Sequence, residues 1–180
     1  MIIGISGHDG SGKSTLARLL ADRTGGRIVS FADPLRHEAA GHLGLPIEAL
    51  YEKPTPDDMR AYLRALGWIR RSRCGADYWV RKWGETAAEL HDRFHIFTDD
   101  QRHMNEALFI EKNNGVLVSL ERSKVEPDRA REFMPIITEV WDTRRLVQAS
   151  GGRHLYLNTD ELTPEQTADA VMAHCDLEAS

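Results

Sequence analysis

Eight residues near the start of the chain, Gly7-His8-Asp9-Gly10-Ser11-Gly12-Lys13-Ser14, constrain what it can fold into more than any others. They satisfy the pattern G-x-x-x-x-G-K-[ST], in which successive backbone N–H groups curl around an anion because glycines leave no side chain in the way. The apolar run Met1-Ile2-Ile3-Gly4-Ile5-Ser6 precedes the pattern, and Leu16, Leu19 and Leu20 follow it at helical spacing. That arrangement predicts a strand, a phosphate loop and a helix whose N-terminus faces the same anion. Gly7, Asp9, Gly10, Ser11, Gly12, Lys13, Ser14 and Thr15 are the expected phosphate ligands of a nucleotide. Lys13 is expected to bridge the β- and γ-phosphates and Ser14 to hold Mg2+, so the chain should use ATP with Mg2+.

The rest of the sequence alternates strand and helix signals. Gly25-Gly26 ends the first helix, Arg27 to Phe31 reads as a second strand, and Asp33-Pro34 opens a helix carrying Leu35, Ala39 and Leu43. After Pro54-Thr55-Pro56, with Asp57 as N-cap, a helical insertion spans about 55–92, broken near Gly67 or Gly75. Phe94 to Phe97 reads as a third strand closing on Asp99-Asp100, followed by a helix through Met104, Ala107, Leu108 and Ile110 that Gly115 stops. Val116 to Leu120 and His154 to Leu157 supply two more strands, separated by a charged stretch whose first part (121–138) predicts a flap. Thr163, Pro164 and Gln166 announce a last helix, with Ala168, Val171, Met172 and Cys175 on its buried face. Such alternation predicts an α/β fold: one domain over 1–180, a three-layer α/β/α arrangement around a five-stranded parallel sheet, with ligands at the carboxyl ends of the strands.

Charge bounds the class of partner. The net charge of −5 argues against a protein that coats nucleic acid, yet Arg60 to Trp83 holds seven cations and one acid, Asp77, a local excess of +6 that suits an anionic ligand. The N-terminal apolar run is too short for a signal-peptide core, and no stretch is long and apolar enough for a membrane span, so a cytoplasmic protein without membrane contact is expected. Cys74 and Cys175 have no metal-binding spacing and read as reduced thiols.

A phosphoryl-transferring site needs an acid that orients the metal and several cations near the leaving phosphate. Asp99 and Asp100 close the third strand where a metal-water ligand belongs. Asp33, after the second strand, could take a proton from an acceptor hydroxyl or help order Mg2+. Arg102 and Arg122 point toward the same rim, and Arg129 and Arg131 lie in the flap, where cations would close over the triphosphate. Trp68, Tyr78, Trp79 and Trp83 flank the basic segment and suit either base stacking or a core.

With these residues laid out, the chain resembles the phage-type deoxynucleoside monophosphate kinases, a branch of the P-loop nucleoside monophosphate kinases. The resemblance runs from Met1 to about Asn158. It rests on the phosphate loop, on Phe31-Ala32-Asp33-Pro34-Leu35-Arg36, on Arg60-Ala-Tyr-Leu-Arg-Ala-Leu-Gly67 with Asp77-Tyr78-Trp79-Val80, and on Asp100-Gln101-Arg102-His103-Met104-Asn105-Glu106. It implies ATP, Mg2+ and a deoxynucleoside 5′-monophosphate, in host cytoplasm if the source is a phage. It implies Lys13, Asp33, Asp100 and Arg102 at the catalytic centre, with Ser14 and Asp100 at the metal. Arg36, Arg60, Arg64, Arg70, Arg71 and Trp79 fall to the acceptor, the phosphate going to Arg60 and one of Arg70 or Arg71. The loop reads Gly10-Ser11-Gly12-Lys13-Ser14 where the family often has Arg-Ser-Gly-Lys-Asp, and Arg64 replaces a common glutamine.

The basic segment with its aromatics also suits a P-loop kinase acting on a 5-hydroxymethyl pyrimidine within DNA, with DNA as acceptor in place of a free nucleotide. A non-kinase ATP-binding module and a kinase of another small metabolite share the fold. A homodimer is compatible with all of these.

Overall fold

The computed structural model describes residues 1–122 and 153–179. The expected flap from 123 onward, with Arg129 and Arg131, lies outside the described residues. Among the described residues twelve elements follow in order: β1 (Ile2–Gly7), α1 (Lys13–Thr24), β2 (Arg27–Ile28), α2 (Asp33–Leu43), a 3-10 turn (Ile47–Leu50), α3 (Asp57–Cys74), α4 (Tyr78–His91), β3 (Ile96–Thr98), α5 (Met104–Lys112), β4 (Val116–Glu121), β5 (His154–Asn158) and α6 (Pro164–Cys175). All strand pairs are parallel, in the order β2-β3-β1-β4-β5.

Alternation along β1 sets the layers. Ile3 and Ile5, both fully buried, face α1 and α6 and join Leu16, Leu20, Phe97, Val118, Leu120, Ala168, Val171 and Cys175 in one core. Gly4 faces the other way, where a Cβ would stand 2.4 Å from Ile110 Cδ1 of α5. Helices therefore cover both faces, as a parallel sheet buried on both sides requires. Each fully buried aliphatic side chain in that core contributes about 1.5–3 kcal/mol relative to exposure. Cys175 is 1% exposed, a core residue as its helical spacing predicts.

The helix ends follow local chemistry. Gly25 takes a left-handed conformation after α1, and Thr163 accepts from the Gln166 amide to cap α6. The long helical region breaks at Gly75 (φ 102°), not at Gly67, which sits inside α3. Asp57 is the first helical residue of α3 and Pro56 takes the cap position. β2 is shorter than the Arg27–Phe31 expected, because it pairs only with β3 and its last ladder bond runs from Val29 N–H to Phe97 O.

The described residues form two compact units. The first comprises 1–30 and the chain from 89 onward, and carries the sheet. The second, 31–88, has its own core of Ala39, Ala40, Leu50, Leu66 and Trp79, with α2 packed on α3. Phe31 and Trp83 stack there with ring centroids 4.2 Å apart. None of the described helices is long and apolar enough to cross a membrane.

Gly115 enters β4 so closely that a Cβ would meet Ile2 O at 2.6 Å and Ile110 O at 2.8 Å. Neither backbone oxygen can turn aside as a side chain could. Gly115→Ala should destabilise the fold by about 1–3 kcal/mol, read as a lower urea midpoint with an unchanged slope.

Candidate active site

The loop after β1 has the shape its glycines predict. Gly12, the N-cap of α1, has φ 96°, and a Cβ there would meet nothing within 4 Å, so glycine is required by the backbone and not by space. At Gly7 (φ 152°) space adds to the backbone's demand: a Cβ would fall 2.5 Å from Leu120 O and 2.6 Å from Ser11 Oγ. The loop is also held from outside. Arg122 Nη1 donates to Gly10 O (3.1 Å), and Thr159 Oγ1 donates to Ser11 O (3.1 Å) and Glu121 O (3.0 Å). A peptide's C=O and N–H point in opposite directions, so carbonyls anchored on one side turn the neighbouring amides to the other. Ser11 Oγ is buried with no hydrogen-bond partner among the described residues.

Lys13 begins α1 and donates from Nζ to Gly7 O (2.9 Å) and His8 O (2.7 Å). Desolvation, and after it the Arg102 cation, push its amine down to about 8, against the opposing pull of Asp99 and Asp100. Ser14 Oγ donates to Asp99 Oδ2 at 2.6 Å, and Ser30 Oγ donates to Asp99 Oδ1 at 3.0 Å. Asp99 thus ties the loop to the ends of β2 and β3.

Of the two aspartates expected at this strand end, Asp99 is the one hydrogen-bonded to Ser14. Side chains alternate along a strand, so Asp99 shares the face of Phe97, which lies in the core beneath α1. Asp100 shares the face of Thr98, whose Oγ1 donates to Asp100 Oδ1 (3.0 Å). Asp100 still lies close enough to raise the affinity of Lys13 for its proton. Behind Arg102 stands Glu106, only 8% exposed, whose carboxyl is pushed up to about 7 by burial.

The second unit gathers other expected residues. Asp33 Oδ1 accepts from Tyr51 Oη (2.7 Å) and from Arg36 Nη1 (3.0 Å), and the Arg36 guanidinium lies 4.7 Å over the Tyr51 ring. Burial, then the hydrogen bond to Asp33, push the Tyr51 phenol up to about 12. Arg60 Nη2 donates to Thr55 O (2.9 Å) and stands 3.7 Å from Asp57. Arg64 is exposed. Arg71 reaches back along α3 until its Nη2 stands 3.4 Å from where a Gly67 Cβ would be.

Two residues expected at the acceptor have partners within their own unit. Arg70 Nε donates to Glu38 Oε1, while Tyr78 Oη donates to Glu38 Oε2 (2.9 Å). Trp79 is 6% exposed and its Nε1–H is taken by Gly67 O (3.1 Å), so its indole packs in the core of its unit and presents no stacking surface. Trp83, fully buried, is likewise a core residue.

The sequence reading missed Ser30, Tyr51, Thr159 and the Ser14–Asp99 pair. A capping or turn serine looks no different from Ser30 in sequence. Tyr51 meets Asp33 only through the fold of α2 and the 3-10 turn.

A scan of known protein families finds no match. Over 149 residues, 71% of this chain and 77% of the other, the sequence is 30% identical to a protein of Acanthamoeba polyphaga mimivirus that bears the name "Putative deoxynucleotide monophosphate kinase". The solved structure of shikimate kinase from Bacteroides thetaiotaomicron aligns over 98% of this chain and 99% of that one, with a TM-score of 0.52 and 14% identity, a likeness of fold.

With its amine pushed down to about 8, Lys13 would make the binding of a nucleotide phosphate beside it depend on pH. A phosphate beside the amine raises its pKa, so binding takes up a proton wherever the free amine is neutral. With the free amine at about 8, affinity for ATP should fall as pH rises through that value. Calorimetry at about pH 8.5 in buffers of different ionisation enthalpy should register net proton uptake. Equal heats after buffer correction, with affinity flat to about pH 9.5, would contradict the assignment.

Proposed function

Because the chain belongs to the deoxynucleotide monophosphate kinase family and is a P-loop kinase, we propose that it moves the γ-phosphoryl group of ATP onto a deoxynucleoside 5′-monophosphate, giving the diphosphate. An oxygen of the acceptor phosphate attacks the γ-phosphorus as its bond to the departing ADP oxygen breaks. The acceptor phosphate has its second pKa near 6, so it is already a nucleophile at neutral pH and needs no strong base.

The observation that carries the acceptor assignment is the arginine stripe of α3. At 100° per residue, positions 60, 64, 67 and 71 fall within an arc of about 60°. Three are arginines and the fourth is the glycine over which Arg71 lies. Cations that would repel one another at this spacing suit a dianionic phosphate, which guanidinium forks grip two oxygens at a time. Arg71 is the better candidate than Arg70, whose Nε is held by Glu38. Arg36, held by Asp33 and Tyr51, extends the cationic surface of the same unit, and Asp33 acts by orienting it.

On the donor side, the loop amides and Lys13 take the triphosphate, and Arg102 adds a cation beside Lys13. The Ser14 hydroxyl and the Asp99 carboxylate are hard oxygen donors 2.6 Å apart, a set that fits Mg2+ with nucleotide phosphates completing the shell. When bound, Mg2+ would draw charge from the β- and γ-phosphate oxygens. Ser30 keeps the Asp99 carboxylate turned toward Ser14.

Labelled ATP with a panel of deoxynucleoside monophosphates, small hydroxylated metabolites and DNA carrying 5-hydroxymethyl pyrimidines tests the acceptor. Label should appear in a nucleoside diphosphate, and label in DNA or a metabolite would overturn the reading. Arg64→Ala and Arg71→Ala should each raise the KM of the monophosphate by about tenfold or more, because a charge-assisted contact contributes about 1.5–3 kcal/mol, with the KM of ATP nearly unchanged. Arg70→Ala should instead lower the melting temperature and leave the acceptor KM within about twofold. The reverse pattern would move the phosphate site off the stripe.

A further inference from the structure

We propose that Glu106 is a positioning residue for phosphoryl transfer, one that fixes the direction in which Arg102 points by holding the backbone on both sides of its Cα. The inference rests on the reading above that Arg102 acts on the nucleotide phosphates.

Glu106 Oε2 accepts from two consecutive backbone amides, Arg102 N at 2.7 Å and His103 N at 2.9 Å. Those amides flank the Cα of Arg102. Anchoring both to one oxygen restricts the two dihedrals between them, and with them the direction of the Arg102 side chain. No helix or strand ladder holds this stretch, since residues 99–103 belong to no regular element; beside Glu106, Gln101 Nε2 donates to His103 O at 3.1 Å. Arg102 in turn lies near enough to Lys13 that its charge depresses the lysine amine, so the residue being aimed stands beside the phosphate loop.

Helix capping alone does not account for the arrangement. A capping box needs the N3 side chain to take only the N-cap amide, here that of His103. Glu106 takes the Arg102 amide as well and is 8% exposed, where a carboxylate is costly to keep. What the geometry requires at this place is an acceptor oxygen on a side chain long enough to reach both amides. A glutamine satisfies that demand. Leucine is of similar size but offers no acceptor, and aspartate is one methylene short.

Steady-state kinetics of Glu106→Gln, Glu106→Leu, Arg102→Ala and the Glu106→Leu/Arg102→Ala pair test this in the full-length protein. Misaiming a charged group by about 1 Å can cost up to a hundredfold in rate, so Glu106→Leu should lower kcat by about tenfold to a hundredfold. The KM of the acceptor should stay within about twofold, and Glu106→Gln should recover kcat to within about threefold of the parent. Because Glu106 acts through Arg102, the double variant should be no slower than Arg102→Ala alone. Should Glu106→Leu fail to fold, Glu106→Asp takes its place with the same expected loss. A folded Glu106→Leu or Glu106→Asp protein with unchanged kcat, beside an impaired Arg102→Ala, would overturn the inference while leaving the role of Arg102 intact. So would losses that multiply in the double variant. If Arg102→Ala itself turns over normally, the role given to Arg102 fails, and the positioning role of Glu106 with it.

Discussion

The placement of β1 between β3 and β4 is the constraint from which the rest of the site follows. All three strands run parallel, so their carboxyl ends open on one rim, and the register sets Gly4 beside Thr98 and Gly7 beside Leu120. The loop that leaves β1 therefore emerges between Asp99 on one side and Arg122 on the other. A hydroxyl from α1 then meets a carboxylate from the end of β3, at Ser14 and Asp99. Moving β1 to an edge would leave the loop with one flank, and either the acid or the arginine anchor would have no strand to deliver it.

Around that rim the electrostatics are set by competition between desolvation and neighbouring charge. Lys13 loses water and faces a second cation in Arg102, and two aspartates only partly offset this. A lysine so placed gains when phosphate oxygens arrive, because the anion supplies the charge that the free site lacks. Its present partners are Gly7 O and His8 O, neutral carbonyls that a triphosphate would outcompete as acceptors of an ammonium group.

The second unit shows how a basic segment divides its labour. Arg70 and Arg71 are adjacent in sequence but stand 100° apart on α3. One falls toward α2 and meets Glu38, while the other falls with Arg60 and Arg64. Glu38, shared by Arg70 and Tyr78, fastens α2 to α3 and to the start of α4. An arginine engaged in that way holds the scaffold on which the remaining arginines are displayed. Asp33 does the equivalent for Arg36, with Tyr51 as a second donor to the same oxygen.

What the sequence determined by itself was local. The phosphate loop, the cap of α6, the turn of α1 at Gly25 and the parallel alternation of strands each depend on residues within a few positions of one another, and their demands on φ and on N–H partners can be read from residue type. Only the tertiary structure decided that Asp99 meets Ser14, because the partners lie 85 residues apart and strand alternation under α1 sets the face on which Asp99 stands. It also decided that Arg70 serves Glu38, 32 residues away, that Trp79 is core, and that Tyr51 holds Asp33. A sequence states which side chains carry charge or a hydroxyl. Whether such a group meets a partner or a substrate depends on what the packing of distant elements brings to face it.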